Sequence, residues 1–142
     1  PGFAHVLDAH RIDLPDRPGN NRLDTLRNVL HDPRVALLFL VPGAGETIRV
    51  QGRARLLRSP TLAARYAVAG RPARSVLRAE VERAYFQCPK ALVRARLWDP
   101  EARIDRATLP TAGDMLAAIT GGAMGGASFD AEYPERMRRT IY

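Results

Sequence analysis

Several residue types are scarce in this chain of 142 residues, and each scarcity excludes a class of protein. A single cysteine, Cys88, excludes an intramolecular disulfide and is typical of a reducing compartment. The longest apolar run, residues 35–41, is far shorter than the ~20 residues that a membrane helix needs. The first residues show no basic-then-apolar signal segment. We therefore expect a cytoplasmic protein with no membrane span.

Residues that commonly carry catalysis are also few. The three histidines, His5, His10 and His31, are too isolated in the sequence to predict a metal site, and no pattern identifies a catalytic acid or nucleophile. With no histidine pattern beside it, Cys88 is interpreted as a small buried hydrophobic residue. The sequence therefore assigns no catalytic residue.

Basic charge is plentiful but dispersed. The net charge is +7, and only Lys90 among the 22 basic residues is a lysine. The arginines are spread along the chain, and no helix-turn-helix, zinc-finger or RNA-binding aromatic motif accompanies them. This pattern disfavours a nucleic-acid partner, because net charge alone indicates solubility and non-specific binding. An anionic small ligand would account for a few of the arginines.

Three segments of the chain have the apolar patterns of short strands. Residues 35–41 are apolar on both faces, which predicts a strand at the centre of a barrel or covered sheet. Residues 47–56 alternate cleanly, which predicts an antiparallel strand with one polar face. Gly52 in its middle predicts a bend or bulge. Residues 75–86 alternate again, with charges of both signs on the outer face.

Short helices are predicted between these strands. Asn20 or Asn21 caps the first, and Ser59-Pro60 begins the second. A third follows Cys88-Pro89 over residues 90–97, where Lys90 and Arg94 share one face. Glycines at residues 121–126 predict a flexible linker, and residues 134–142 a basic terminal helix.

Together these elements predict a β-rich α+β fold of antiparallel strands with short flanking helices. A small barrel is favoured over an open sheet because of the bend at Gly52. A doubly wound sheet is disfavoured, since no glycine fingerprint follows a strand. We expect one domain over residues 1–142, with residues 121–142 as a C-terminal extension.

The start of the first helix suits an anion. Asn20, Asn21 and Arg22 stand where unpaired backbone N–H groups and the positive end of the helix dipole collect, which favours a phosphate. The alternative for Arg22 is a surface ion pair with Asp24 or Asp16.

Four segments, residues 17–24, 32–43, 46–54 and 88–100, follow one another in an order that is similar to a known family. Together they resemble the pyridoxamine 5'-phosphate oxidase-like class, and within it the branch of probable FMN-dependent enzymes. The resemblance spans roughly residues 2–116, so chance similarity of one motif does not explain it.

The resemblance implies an FMN-binding split β-barrel that forms a homodimer, with the flavin in the groove between subunits. It places phosphate contacts at the segment before the strand of residues 35–41 and ring contacts on the strand that follows. The family's upstream strands, whose arginine is expected near the cofactor, are absent from a sequence that opens at residues 1–3, so we expect strands to be missing there. The cofactor-binding residues implied for this chain are Asn20, Asn21, Arg22, Thr47, Arg49, Lys90 and Arg94.

The function implied by the resemblance is that of a flavin (FMN)-dependent oxidoreductase acting on an unidentified small molecule. Two alternatives stay open within the same fold: a protein that binds haem or another tetrapyrrole, and one that binds a deazaflavin. For a haem, His5, His10 and His31 are the only histidine ligands available.

Overall fold

A computed structural model describes residues 3–19 and 22–141. The chain divides into two compact units, one that ends at Trp98 and one that spans Asp99–Ile141. The prediction of a single domain over residues 1–142 stays a prediction. The elements of the first unit are β1 (His5–Asp8), β2 (Arg11–Asp16), α1 (Asp24–His31), β3 (Arg34–Leu40), β4 (Thr47–Leu57), α2 (Pro60–Arg65), β5 (Ser75–Gln87) and α3 (Lys90–Arg94).

The five strands form one antiparallel sheet in the order β1-β2-β5-β4-β3. Among the strands of the described residues, β1 and β3 are the edges, so this sheet is open along one side. Long β4 and β5 pair with each other along the middle of the sheet. The predicted β-rich α+β class, with split-barrel strands and short flanking helices, is confirmed.

A β-bulge interrupts the pairing of β4 with β5. Gly52 pairs with Val81 and Gln51 pairs with Arg83, so that Glu82 is an extra residue in β5. A Cβ atom on Gly52 would lie 1.9 Å from the carbonyl oxygen of Glu80. Only glycine lets the two backbones approach this closely, and the predicted bulge at Gly52 is confirmed.

The hydrophobic core lies on both faces of the sheet. On one face, Val29 of α1 packs with Ala54 of β4 and with Leu77 and Ala79 of β5. At one end of the other face, a second cluster forms around Val76. Its other members are Tyr66, Ala73 and the partly buried Leu62. The amphipathic alternation of β4, with Val50, Gly52 and Ala54 buried, follows from covering the first face.

Strand β3 is not the central strand that its composition predicts. It lies at an edge and pairs only with β4 among the described strands. Val35, Leu37 and Phe39 are half-buried, whereas Leu38 and Leu40 on the opposite face are 53% and 46% exposed. The prediction of burial on both faces was wrong because composition does not reveal which strands are neighbours.

The helix boundaries follow the sequence signals in part. Ser59 caps α2, with its Oγ atom accepting a hydrogen bond from the Leu62 N–H at 3.4 Å, and Pro60 is the first helical residue. Helix α1 begins at Asp24 with Leu23 at its N-cap position and no side-chain cap. Asn20 and Asn21, the predicted caps, lie outside the described residues. Helix α3 ends at Arg94, three residues earlier than predicted.

The second unit contains two 3₁₀ turns, Pro100–Ala102 and Arg106–Thr108, and two helices, α4 (Ala112–Thr120) and α5 (Gly126–Thr140). Asp130 of α5 accepts hydrogen bonds from the Gly113 N–H at 2.8 Å and from the Thr111 hydroxyl at 2.5 Å, which joins the two helices. The glycine segment is therefore a turn between packed helices, and the prediction of a flexible linker was wrong. Within the described residues, no helix has both the length and the apolar character needed to cross a membrane.

Candidate functional site

A cleft of about 410 Å³ lies where the ends of β3, β4 and β5 meet α3. Its volume is within the range of small-molecule sites in proteins. Its lining residues are Leu38, Leu40, Thr47, Arg49, Gln87, Cys88, Lys90, Ala91, Leu92 and Arg94. Four of the seven predicted cofactor-binding residues, Thr47, Arg49, Lys90 and Arg94, therefore line a single cleft.

Strand register brings the sheet residues of the cleft to one face. Leu40 pairs with Thr47, and Thr47 pairs with Gln87 on its other side. Leu38 pairs with Arg49 in the same way. Directly opposed residues of neighbouring antiparallel strands point to the same face of a sheet, so these side chains form one continuous floor.

Two contacts hold the start and end of the α3 segment against the turn between β3 and β4. A Cβ atom on Gly45 would lie 2.8 Å from the Cβ atom of Pro89, so the residue before α3 packs directly on that turn. Beyond α3, the Trp98 indole N–H donates a hydrogen bond to the Ala44 carbonyl oxygen at 2.6 Å. Because the segment is anchored on both sides, the cationic side chains of α3 stay beside the sheet residues of the cleft.

The lining is cationic on one part and apolar on another. Arg49, Lys90 and Arg94 contribute positive charge, and no carboxylate lines the cleft. Among residues 3–19 and 22–141, none of the three forms a salt bridge with a carboxylate within 4.0 Å. Uncompensated positive charge beside an apolar wall attracts anions and raises their local concentration.

Thr47 adds a polar group at the base of the cleft. Its residue surface is only 8% exposed, and its hydroxyl makes no hydrogen bond to any described residue. The hydroxyl oxygen is not itself a buried atom, so it is open to the cleft as donor or acceptor.

Of the predicted phosphate segment, residues 20–22, the structure describes only Arg22. Arg22 is exposed and pairs with Asp24, its Nη2 atom lying 2.7 Å from Oδ2. This is the surface ion pair that was the alternative for Arg22. Asn20 and Asn21 lie outside the described residues, and Arg22 is not among the residues that line the cleft.

Several lining residues were not anticipated from the sequence. Leu38, Leu40 and Gln87 enter the cleft through strand register, which a single sequence does not reveal. Cys88 is exposed, so its interpretation as a buried hydrophobic residue was wrong. The place of this cysteine at a strand end, before a proline and a cationic helix, is a signal that would have indicated the position.

A second polar cluster joins β2, β5 and the end of α2. Fully buried Asp13 accepts two hydrogen bonds from the Arg78 guanidinium, at 2.7 and 2.8 Å, and one from the Tyr66 hydroxyl at 2.8 Å. Burial is the largest effect on the pKa of Asp13 and would raise it, but the hydrogen bonds from Arg78 and Tyr66 together lower it below its ordinary value. Burial, followed by the bond to Asp13, raises the pKa of Tyr66.

The geometry of this cluster indicates a structural role. Every hydrogen-bonding atom of the buried carboxylate is satisfied by protein, and none of its members lines the cleft. The ring of His5 lies 4.6 Å from the ring of Tyr66, so this histidine belongs to the same region. In the part of the chain that the structure describes, no group of three or more His, Cys, Asp or Glu side chains could hold a metal ion.

The open antiparallel sheet, its short helices and the cleft at one end of its long strands define a protein of the split-barrel class. Residues 1–88 match the family model described as "Pyridoxamine 5'-phosphate oxidase". The chain therefore belongs to the pyridoxamine 5'-phosphate oxidase family. No curated protein matches the sequence.

Two solved structures of a Group A Streptococcus protein, HupZ in a tagged form, are similar to the chain. The first is 13% identical with a TM-score of 0.48, covering 61% of this chain and 70% of that one. The second, a histidine-to-alanine variant, is 14% identical with a TM-score of 0.46, covering 60% and 73%. The family assignment depends on the sequence match and not on these two similarities.

Proposed function

We propose that the cleft binds FMN and that the chain is a flavin-dependent oxidoreductase acting on a small molecule. The observation that carries the proposal is the combination of three uncompensated cations, Arg49, Lys90 and Arg94, with a Thr47 hydroxyl that is open to the cleft. A cleft of this kind suits a ligand with an anionic group and a flat apolar body. Family membership supports a cofactor of the same chemistry.

Each part of the lining has a separate task in this proposal. The cations hold the anionic groups through charge-assisted hydrogen bonds, which are roughly twice as strong as neutral ones. Leu38, Leu40 and Leu92 pack against the flat face of the ligand. Thr47 offers its hydroxyl to a polar ring edge. The phosphate contacts predicted for Asn20, Asn21 and Arg22 stay a prediction.

When bound, FMN supplies the electron or hydride transfer that the side chains cannot perform. The lining contains no carboxylate and no histidine, so the described residues of the cleft offer no strong general base. Arg49 and the cations of α3 stabilise negative charge placed beside them, and thereby favour the reduced state of a group held there. Orientation and electrostatics are thus the contributions of this chain.

The proposal is tested by titrating the purified protein with FMN and with riboflavin, following quenching of flavin fluorescence. Arg49→Gln, Lys90→Gln and Arg94→Gln should each weaken FMN binding by about tenfold, since a charge-assisted bond contributes about 1.5 kcal/mol. Arg58→Gln is the matched control, because exposed Arg58 follows the opposite end of β4, about 30 Å along the strand from Arg49.

Riboflavin has the flavin ring but no phosphate, so comparing it with FMN shows which part of the cofactor each cation contacts. A cation that holds the phosphate affects FMN binding and leaves riboflavin binding unchanged, whereas a cation beside the ring affects both. Failure of the protein to bind FMN, or equal effects of the cleft variants and of Arg58→Gln, would count against the flavin proposal.

A tetrapyrrole is the second candidate, and Cys88 is the observation that favours it. The same cations suit the carboxylates of a haem, and the exposed Cys88 thiol in the cleft could ligate its iron. No histidine lines the cleft, so a histidine-ligated haem there would need a ligand from elsewhere. A Soret band on haem titration that changes in Cys88→Ser would support this candidate.

A deazaflavin fits the same cationic lining, and competition with FMN distinguishes it.

We further propose that the chain forms a homodimer. Phe39, Ile48 and Phe86 form a cross-strand row on the face opposite the cleft residues, with Ile48 46% and Phe86 75% exposed. Exposed apolar rows of this kind mark interfaces.

The cytoplasmic location expected from the single cysteine stays a prediction.

A further inference from the structure

Strand register gathers four arginines on one face of the sheet. On β4, Arg49, Arg53 and Arg55 alternate with the buried residues of that strand, so they point away from the face that α1 covers. Arg83 of β5 reaches the same face, because it pairs directly with Gln51. All four arginines are exposed, and we call them the arginine stripe. Sequence alone disfavours a nucleic-acid partner because the arginines are spread along the chain, but the fold brings these four together.

Most of the positive charge on the arginine stripe has no carboxylate beside it. Arg55 pairs with Glu80 at 3.0 Å, but the other three members form no salt bridge to any carboxylate of residues 3–19 and 22–141. Arg53 also lies directly opposite Arg34 of β3, which pairs with Asp32. Like charges directly opposed across two strands are destabilising. An anion bound at the stripe would relieve this repulsion, so charge complementarity indicates an anionic partner.

The surface along the stripe is a long trough. A depression of about 80 Å³ adjoins the cleft and shares Leu38 and Arg49 with it. A further depression of about 500 Å³ shares Ala36 and Gln51 with the first. The three hollows follow one another along the boundary between β3 and β4, which suits an extended chain better than a compact molecule.

Tyr85 provides an aromatic surface within this trough. It lines the depression next to the cleft, pairs directly with Arg49 and is 37% exposed. Proteins that hold single strands of nucleic acid combine a positively charged groove with aromatic rings on which bases stack. Arginine suits such a groove, because its planar guanidinium donates paired hydrogen bonds to phosphate and stacks on flat rings. An acidic peptide would match the charge but leave the aromatic surface unused.

We propose that the arginine stripe binds single-stranded nucleic acid, with phosphates on the arginines and a base stacked on Tyr85. Arg49 belongs both to the stripe and to the cleft, whereas Arg53, Arg83 and Tyr85 do not line the cleft. The proposal therefore does not rest on flavin binding. Glu82 lines the depression farthest from the cleft, and its carboxylate repels phosphate at that end of the trough.

The test measures the fluorescence anisotropy of a labelled oligodeoxythymidine of about 12 nucleotides, titrated with flavin-free protein. Three phosphate contacts should give a plot of log K against log salt with a slope of about −2, or about −0.7 per contact. Arg53→Gln and Arg83→Gln should each weaken binding by about fivefold to tenfold at about 0.05 M salt and make the slope shallower by about 0.7. Arg27→Gln, on the exposed side of α1, is the matched control and should change neither value.

Two further variants separate stacking from charge. Tyr85→Leu should weaken binding by about fivefold or more with an unchanged salt slope, because stacking neutralises no phosphate. Glu82→Gln should strengthen binding by about twofold or more, because it removes a carboxylate from the trough.

The proposal is overturned if the oligonucleotide does not bind at about 0.05 M salt, or if Arg27→Gln costs as much affinity as Arg53→Gln and Arg83→Gln. It is also overturned if polyglutamate of matched charge competes as well as unlabelled oligonucleotide, which would assign the stripe to acidic peptides. A protein that binds the oligonucleotide but not FMN would refute only the flavin proposal, and the reverse result would refute only this one.

Discussion

Substituting Gly52 by alanine should cost an unusually large part of the stability of the first unit. The new Cβ would lie 1.9 Å from the Glu80 carbonyl oxygen, whereas real Cβ atoms essentially never approach closer than 3.0 Å. The backbones of β4 and β5 must therefore separate locally by about 1 Å. Losing one or two ladder hydrogen bonds costs about 1 kcal/mol each, and overpacking adds about 1–3 kcal/mol. We expect a total of about 2–5 kcal/mol, against a typical overall stability of about 5–15 kcal/mol.

Urea unfolding followed by the fluorescence of Trp98, the only tryptophan, measures this loss in the unit that contains the bulge. Gly19→Ala is the matched control, since the nearest atom to its added Cβ would be 3.9 Å away and no backbone needs to move. A Gly52→Ala variant that unfolds within about 1 kcal/mol of the original chain, with an unchanged slope, would refute the reasoning.

Three further predictions follow from other contacts. Asp13→Asn should destabilise the protein by about 3 kcal/mol at neutral pH, because Arg78 loses its buried partner. Folding lowers the pKa of Asp13 below its ordinary value of 3.8, so the ionised carboxylate stabilises the fold fully above that pH. This stabilisation is lost as the pH falls through the pKa of the folded state. The stability difference between Asp13→Asn and the original chain should therefore shrink in acid. Phe86→Glu should convert the proposed homodimer into a monomer in sedimentation velocity, since a charge would enter an apolar row. Trp98→Phe, which removes the hydrogen bond to Ala44, should lower stability by about 1 kcal/mol in thermal unfolding followed by circular dichroism and should weaken FMN binding.

Each of these has a result that would contradict it. A pH-independent difference for Asp13→Asn between pH 7 and pH 2 would mean that the carboxylate is not ionised against Arg78. For assembly, Leu30→Glu on the exposed face of α1 is the control, and loss of the dimer in both variants would show general destabilisation. Unchanged melting of Trp98→Phe would show that packing at Gly45, and not the hydrogen bond, anchors the α3 segment.

Features encoded by local chemistry could be predicted from the sequence. The Ser59-Pro60 helix start, the alternation of β4 and the bulge at Gly52 depend on side chains or glycines close in sequence, and the structure has all three. Among the site residues, Lys90 and Arg94 lie four apart on one helix, so their common face could be expected.

Features that depend on strand order could not be predicted in this way. The apolar composition of β3 indicates burial on both faces, but a position at the edge of the sheet leaves Leu38 and Leu40 exposed and in the cleft. Likewise, Asp13 and Arg78 are 65 residues apart in sequence and meet only because β2 pairs with β5. No periodicity signals such a contact.

The single extra residue at Glu82 determines which chemistry the cleft receives. Upstream of it, odd-numbered residues of β5 such as Val81 face the Val50 side of the sheet; downstream, that side belongs to Ala84 and Phe86. If β5 paired with β4 past Val81 without this bulge, Glu82 would pair with Gln51. Arg83 would then lie beside Val50 among the apolar side chains, and Phe86 would take the place of Gln87 opposite Thr47. The register of one strand is thus as decisive for this cleft as the identity of its charged residues.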